Sequence, residues 1–120
     1  MTHNVPGTVR ISETVLMDIA GYAALESYGV VGMASPTLAD EVVQLLPKNK
    51  LRKGVRITAL PTEDDHSFEI EVDLYVVIEY GTNITEVSHN LADRVRFVLT
   101  DVAEVKVGRV DVHVLEVKVR

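Results

Sequence analysis

Two hydrophobic periods divide the chain. From Phe68 to Tyr80 the period is two: Phe68, Ile70, Val72, Leu74, Val76 and Ile78 fall on one face, with Glu69, Glu71 and Asp73 on the other. Tyr75 and Val77 continue the second face, so this long strand should meet water along its first half and be covered along its second. Gly54–Leu60 also alternates, with Val55, Ile57 and Ala59 against Arg56 and Thr58. The acidic turn Pro61–Ser67 then makes the two strands a hairpin. From Ile84 to Glu104 the period becomes helical. Ile84, Val87, Leu91, Val95, Val98, Leu99 and Val102 share one apolar stripe, opposite His89, Asp93 and Arg96. Phe97 lies off that stripe and is a candidate protein contact. Val105–Arg120 returns to period two. Gly108 interrupts it, and the phase slips at Val114–Leu115, where the strand either bulges or changes face.

The first third is more apolar than a surface helix needs. Ser12 is placed as an N-cap with Glu13 in the first turn, and the helix should reach Glu26 or Ser27. Val15, Leu16, Ile19 and Ala23 share a face that Ala20 and Ala24 widen. Only Thr14, Asp18 and Gly21 leave a narrow stripe, so burial on more than one side is expected, against a core or a second molecule. Tyr28–Met33 reads as a short strand. Gly29 should supply a left-handed cap, and Gly32 a close backbone contact or a bulge. Its G-x-x-G spacing, with no Lys-Ser/Thr after it, does not make a phosphate loop. Residues 1–7 should be loosely attached, Thr8–Ile11 a short edge strand, and Leu38–Leu46 a short amphipathic helix ended by Pro47. The expected architecture is α+β in a single domain over 1–120. A mixed or antiparallel sheet of about three to five strands is covered on one face by the first and third helices, with one short helix besides.

Composition narrows the function classes. A chain of 120 residues holds one hydrophobic core. It has no cysteine, which removes disulfides and thiolate metal sites. The opening MTHNVPGTVR has no basic segment followed by an apolar run, and no stretch approaches a membrane span, so a cytoplasmic protein is expected, peripheral at the membrane only through a partner. A net charge of −6 disfavours generic binding to polyanions, yet Lys48, Lys50, Arg52, Lys53 and Arg56 place five of the twelve basic residues within one short run. That run is either a solvated loop leading into a strand or a contact for lipid headgroups, RNA or an acidic protein face. No aromatic residues interleave it, which counts against a single-stranded nucleic-acid platform. His3, His66, His89 and His113 fall in four separate segments with no zinc spacing. His89 and Asp93 share a helix face, the usual arrangement of a surface pair. Neither a nucleophile elbow nor a calcium loop occurs. No catalytic, cofactor or metal site is assigned.

The pattern Ile11-Ser12-x-x-Val15-x-x-x-Ile19-Ala20-Gly21-x-Ala23-Ala24, followed by Gly29-Val30-Val31-Gly32-Met33, resembles the alkaline shock protein / general stress protein family of Gram-positive bacteria. Tyr80-Gly81 followed by Ile84-x-x-Val87 supports the resemblance, as does Val110-x-Val112-x-Val114. The chain looks like the short form, without charged tails. The resemblance implies a non-enzymatic cytoplasmic protein of envelope stress and homeostasis that acts through homo-oligomers and protein partners. It also implies two kinds of partner, a small membrane-anchored protein or a metabolic enzyme complex, because one branch is associated with control of fatty-acid synthesis. It brings no catalytic motif.

Overall fold

The computed structural model describes residues 11–36, 43–61 and 68–120. Its order is α1 (Glu13–Leu25), β1 (Val30–Met33), a 3₁₀ segment (Lys48–Gly54), β2 (Val55–Pro61), β3 (Phe68–Glu79), α2 (Ile84–Asp101) and β4 (Lys106–Lys118). All four strands form one mixed sheet built on β3. β2 is antiparallel to its first half, from Pro61↔Phe68 to Val55↔Leu74. β1 is antiparallel to its second half, from Met33↔Val76 to Val30↔Ile78. Ala34 joins the two registers by donating its N–H to the Tyr75 carbonyl at 3.0 Å. β1 and β2 are therefore one edge strand interrupted by an excursion over residues 35–54. The chain returns to the sheet at Gly54, where a Cβ would lie 2.9 Å from the Ala34 carbonyl and 3.1 Å from Met33 Cβ. Only glycine fits so close a crossing.

β4 runs parallel to β3 on its other edge, and α2 is the crossover between them. Two bulges keep β4 in phase. The register shifts once between Ile70 and Glu71, at Gly108, and again between Val76 and Val77, at Leu115. The expected phase slip is thus a bulge, and Val110, Val112, Val114 and Val117 stay on the face of Val72, Leu74, Val76 and Ile78.

That face is the core. Val72, Leu74, Val76 and Ile78 on β3 are almost wholly buried under Leu16, Ala20, Ala23 and Ala24 of α1 and Val87, Leu91, Val95 and Leu99 of α2. Both helices start on capping side chains: Ser12 Oγ accepts from the Val15 N–H at 3.3 Å, and Asn83 Oδ1 from the Glu86 N–H at 3.1 Å. The opposite sheet face carries the alternating charges, but Val77 on it is fully buried. Gly32 is its cross-strand neighbour, and Leu45 occupies the space that a side chain at Gly32 would take, with Cδ2 3.0 Å from the Cβ position.

The structure revises several expectations. Val43–Leu46 is not helical: Leu45 bridges Ala34, and the Leu46 N–H donates to the Met33 carbonyl at 2.8 Å. Pairing with the outer edge of β1 competes with the local helical pattern and wins. Residues 37–42, the rest of that expected helix, lie outside the described residues, as do 1–10, with most of the Thr8–Ile11 strand, and the turn 62–67. The short helical piece instead follows Pro47, over Lys48–Gly54, where a loop was expected. On α1, Gly21 is buried beneath Leu51, whose Cβ lies 2.9 Å from the position of a glycine Cβ, while Val15 is exposed. The 3₁₀ segment packs against the side of α1 that looked polar, so the helix is turned away from its most hydrophobic arc.

Gly29 (φ +83°) and Gly81 (φ +93°) both adopt left-handed backbone, but a Cβ at Gly29 would lie 2.7 Å from Val87 Cγ2, whereas nothing lies within 4 Å at Gly81. Gly81→Ala should cost about 1–2 kcal/mol from backbone strain alone. Gly29→Ala should cost about 1–3 kcal/mol more, from overpacking against α2. Urea unfolding of the two variants measures the difference; equal losses would contradict a close α1–β1–α2 junction.

Candidate functional site

Side chains that face away from the core gather in three places. The first is the basic run. Lys48, Lys50, Arg52 and Lys53 lie on the 3₁₀ segment and are exposed, but Arg56 is on β2. The backbone kinks at Lys50 (φ −132°, ψ 21°), so the segment is two short turns and not one continuous face. Arg52 is turned toward α1, with Nε 3.3 Å from Asp18 Oδ1. Arg56 extends over the open sheet face, its guanidinium 5.7 Å from the centre of the Tyr75 ring. The five cations therefore separate: Lys48, Lys50 and Lys53 are exposed on the kinked segment, Arg52 ties it to α1, and Arg56 belongs to the sheet.

The second is the open face of the sheet. Parallel pairing of β3 and β4 sets Glu71 beside Arg109, Asp73 beside Asp111 and Tyr75 beside His113. Arg109 bonds both Glu71 and Asp111 at 3.0 Å. His113 Nε2 lies 2.9 Å from Asp73 Oδ1, and its ring stacks on Tyr75 with centroids 4.6 Å apart. An imidazole held by a carboxylate is the arrangement that orients a general base. Here its neighbours are Tyr75, Arg56 and a row of ion pairs. Among the described residues no three His, Cys, Asp or Glu side chains converge as metal ligands. The arrangement ties β4 to β3 through side chains, Arg109 to Glu71 and His113 to Asp73.

The third is the outer surface of the helix layer. Val15, Ile19, Tyr22 and Ala23 of α1 and Val98 of α2 line an open groove of about 320 Å³, with Asp18 and Glu26 at its rim. Glu26 caps the C-terminus of α1 instead of extending it, and its carboxylate meets Arg94 at 3.1 Å. Tyr22 is half exposed, and Phe97 is 65% exposed on the crest of α2, about 100° around the helix from Val98. The sequence assigned Phe97 to the exterior and expected Val15 and Ile19 to be buried against a core or a second molecule; Ile19 is half-buried against the core, whereas Val15 is exposed. The signal for the groove was the surplus of apolar positions on α1: the core accommodates the small residues, and the larger ones beyond them remain at the surface. The Tyr75–His113–Asp73 cluster was not foreseen, because it requires the register of two strands separated by a helix.

The family model of the alkaline shock proteins, described as having a cell envelope-related function, matches residues 1–119. The chain is 36% identical over 114 residues to Spy1614 of Streptococcus pyogenes serotype M6, an alignment spanning 94% of this chain and 89% of that one. It is 32% identical over 114 residues to YloU of Bacillus subtilis, spanning 94% and 90% respectively. Both relatives are described as uncharacterized proteins. No solved structure matches.

A double-mutant cycle on Asp73→Ala and His113→Ala should give a coupling of about 0.2–1 kcal/mol, the range for partly exposed ion pairs. Denaturant unfolding supplies the four stabilities. A coupling near zero would mean that this pair does not help to hold β4 on β3.

Proposed function

The chain belongs to the alkaline shock protein family, the cell-envelope-related proteins of Gram-positive bacteria, and on that premise we propose that it is a non-enzymatic interaction module of envelope homeostasis. It acts in the cytoplasm through self-association and through a protein partner. The observation that carries this reading is the apolar groove between α1 and α2. Val15 and Tyr22 there are exposed, and Ile19 and Val98 are only half-buried, over a core that Ala20, Ala23, Ala24 and Leu99 close beneath them. Large apolar groups left at a surface in one contiguous patch mark a contact site more often than scattered ones do. Among the described residues no helix is long and apolar enough to cross a membrane. A small membrane-anchored protein supplies the link to the envelope in this reading, with an apolar segment seated in the groove.

A second reading, contact with an anionic lipid surface, draws on Lys48, Lys50 and Lys53, which are exposed within one short segment. It is the weaker, since Arg52 is committed to Asp18 and Arg56 to the sheet.

Affinity purification from a Gram-positive cell, with membrane fractionation, tests the first reading. Tyr22→Glu and Phe97→Glu should each change stability by no more than about 0.5 kcal/mol, because both positions are exposed. They should nonetheless lose the partner and the membrane-associated fraction. Recovery of the same partners by both variants would overturn the proposal. If instead only neutralising Lys48, Lys50 and Lys53 released the protein from membranes, the lipid reading would replace it.

A further inference from the structure

We propose that the outer edge of β4 pairs antiparallel with β4 of a second copy of this chain, about a two-fold axis at Val112. The inference deepens the self-association in the reading above by naming the surface and its register. β4 is a 13-residue strand whose one partner strand among the described residues is β3. Every second N–H and C=O along it is therefore directed away from the sheet. Exposed edges are commonly blunted by proline, by lysine or by bulges. In β4 these devices lie toward the ends: Lys106 and Lys118 are terminal, and the bulges fall at Gly108 and Leu115. Between the bulges, Arg109–Val114 follows Glu71–Val76 without a break.

The burial pattern points the same way. Val72, Leu74 and Val76 of β3 are at most 1% exposed, whereas their β4 neighbours Val110, Val112 and Val114 on the same face are only half-buried. Beyond them lies an open groove of about 320 Å³, walled by Ile84, Ser88, His89 and Ala92 of α2 and floored by Val110 and Val112. A strand added to the edge of β4 would bring its valines into that position.

Charge and face select both the occupant and the register. Pairing that keeps valines opposite valines requires the two strands to match in parity, so the axis must pass through a residue. An axis at Asp111 sets two aspartates against each other, and an axis at His113 sets two imidazoles together and brings Asp111 opposite the Leu115 bulge. An axis at Val110 leaves only Arg109–Asp111 clear of the Gly108 bulge. An axis at Val112 uses the whole window from Val110 to Val114. It places each Asp111 opposite His113 of the other copy, a carboxylate facing an imidazole, and each Val110 opposite Val114, so the segment is complementary to itself in polarity and in shape.

The absence of cysteine from the chain makes the test direct. Facing residues of an antiparallel pair have Cα atoms about 4.5–5.5 Å apart, within disulfide range. Under mild oxidation Val112→Cys alone should form a covalent dimer. Val110→Cys alone and Val114→Cys alone should not, while a mixture of the two should cross-link. Sedimentation of the unmodified protein should show a monomer–dimer equilibrium that shifts with concentration. A dimer in sedimentation without cross-linking at Val112 would overturn the edge pairing while leaving self-association in place. A monomer at every concentration would overturn both. Loss of the groove partner in the Tyr22→Glu variant is independent of either result.

Discussion

The fold depends on β3 being bonded along both edges and buried along one face. A strand in that position has no free backbone groups to satisfy, and its apolar side chains must be covered by something outside the sheet. Each other element follows from those two requirements. β2 and β1 divide one edge between them, meeting at Ala34, with a register shift between Val30 and Gly32 in β1, and β4 takes the other. α2 can connect β3 to a parallel β4 only by crossing the sheet, which places its Val87–Leu91–Val95–Leu99 stripe over the core face. α1 fills the remaining space. Its alanines allow close approach, and Gly29 lets the chain turn from helix to sheet directly against Val87.

Cover is complete over β3 and incomplete around it. The helix layer buries the centre of the sheet, then ends with Val15, Ile19, Tyr22 and Phe97 on its outside and with the β4 valines only half-buried. On the open sheet face Arg109 pairs with Glu71 and Asp111, and His113 is hydrogen-bonded to Asp73. Apolar side chains left uncovered by the core line grooves at two places, between α1 and α2 and beside the β4 edge. Both use α2 but different residues of it, Val98 in the helical groove and Ile84, Ser88, His89 and Ala92 beside β4, so two contacts can form without competing for the same residues.

Much of the fold was legible in the sequence because its elements are strongly periodic. The alternating positions from Ile70 to Ile78, the helical stripe from Val87 to Leu99 and the Ser12 cap lie where their patterns place them. The slip at Val114–Leu115 was legible as a bulge or a change of face, and pairing with β3 decides for the bulge. What failed to show locally depends on tertiary competition. Leu45 and Leu46 carry a helical spacing yet pair with the edge of β1, and Gly21 looks polar in a helical projection yet lies beneath Leu51. The basic run looked like one patch because its residues are adjacent in sequence. A kink at Lys50 and the separate engagements of Arg52 and Arg56 divide it. The groove was half visible: the surplus of apolar residues on α1 was plain, but which of them the core would exclude depends on how the 3₁₀ segment turns the helix.

Residue-resolved amide hydrogen exchange, followed as a function of protein concentration, tests most directly the claim that β3 is closed on both edges and β4 on one. At low concentration all the β3 amides from Ile70 to Ile78 should exchange slowest, opening only with global unfolding. Along Arg109–Val114, slow and fast amides should alternate, the slow ones directed at β3 and the fast ones at the outer edge. Raising the concentration should slow the fast set alone. Uniform protection along β4 at every concentration, or β3 amides exchanging as fast as those of its neighbours, would contradict the account.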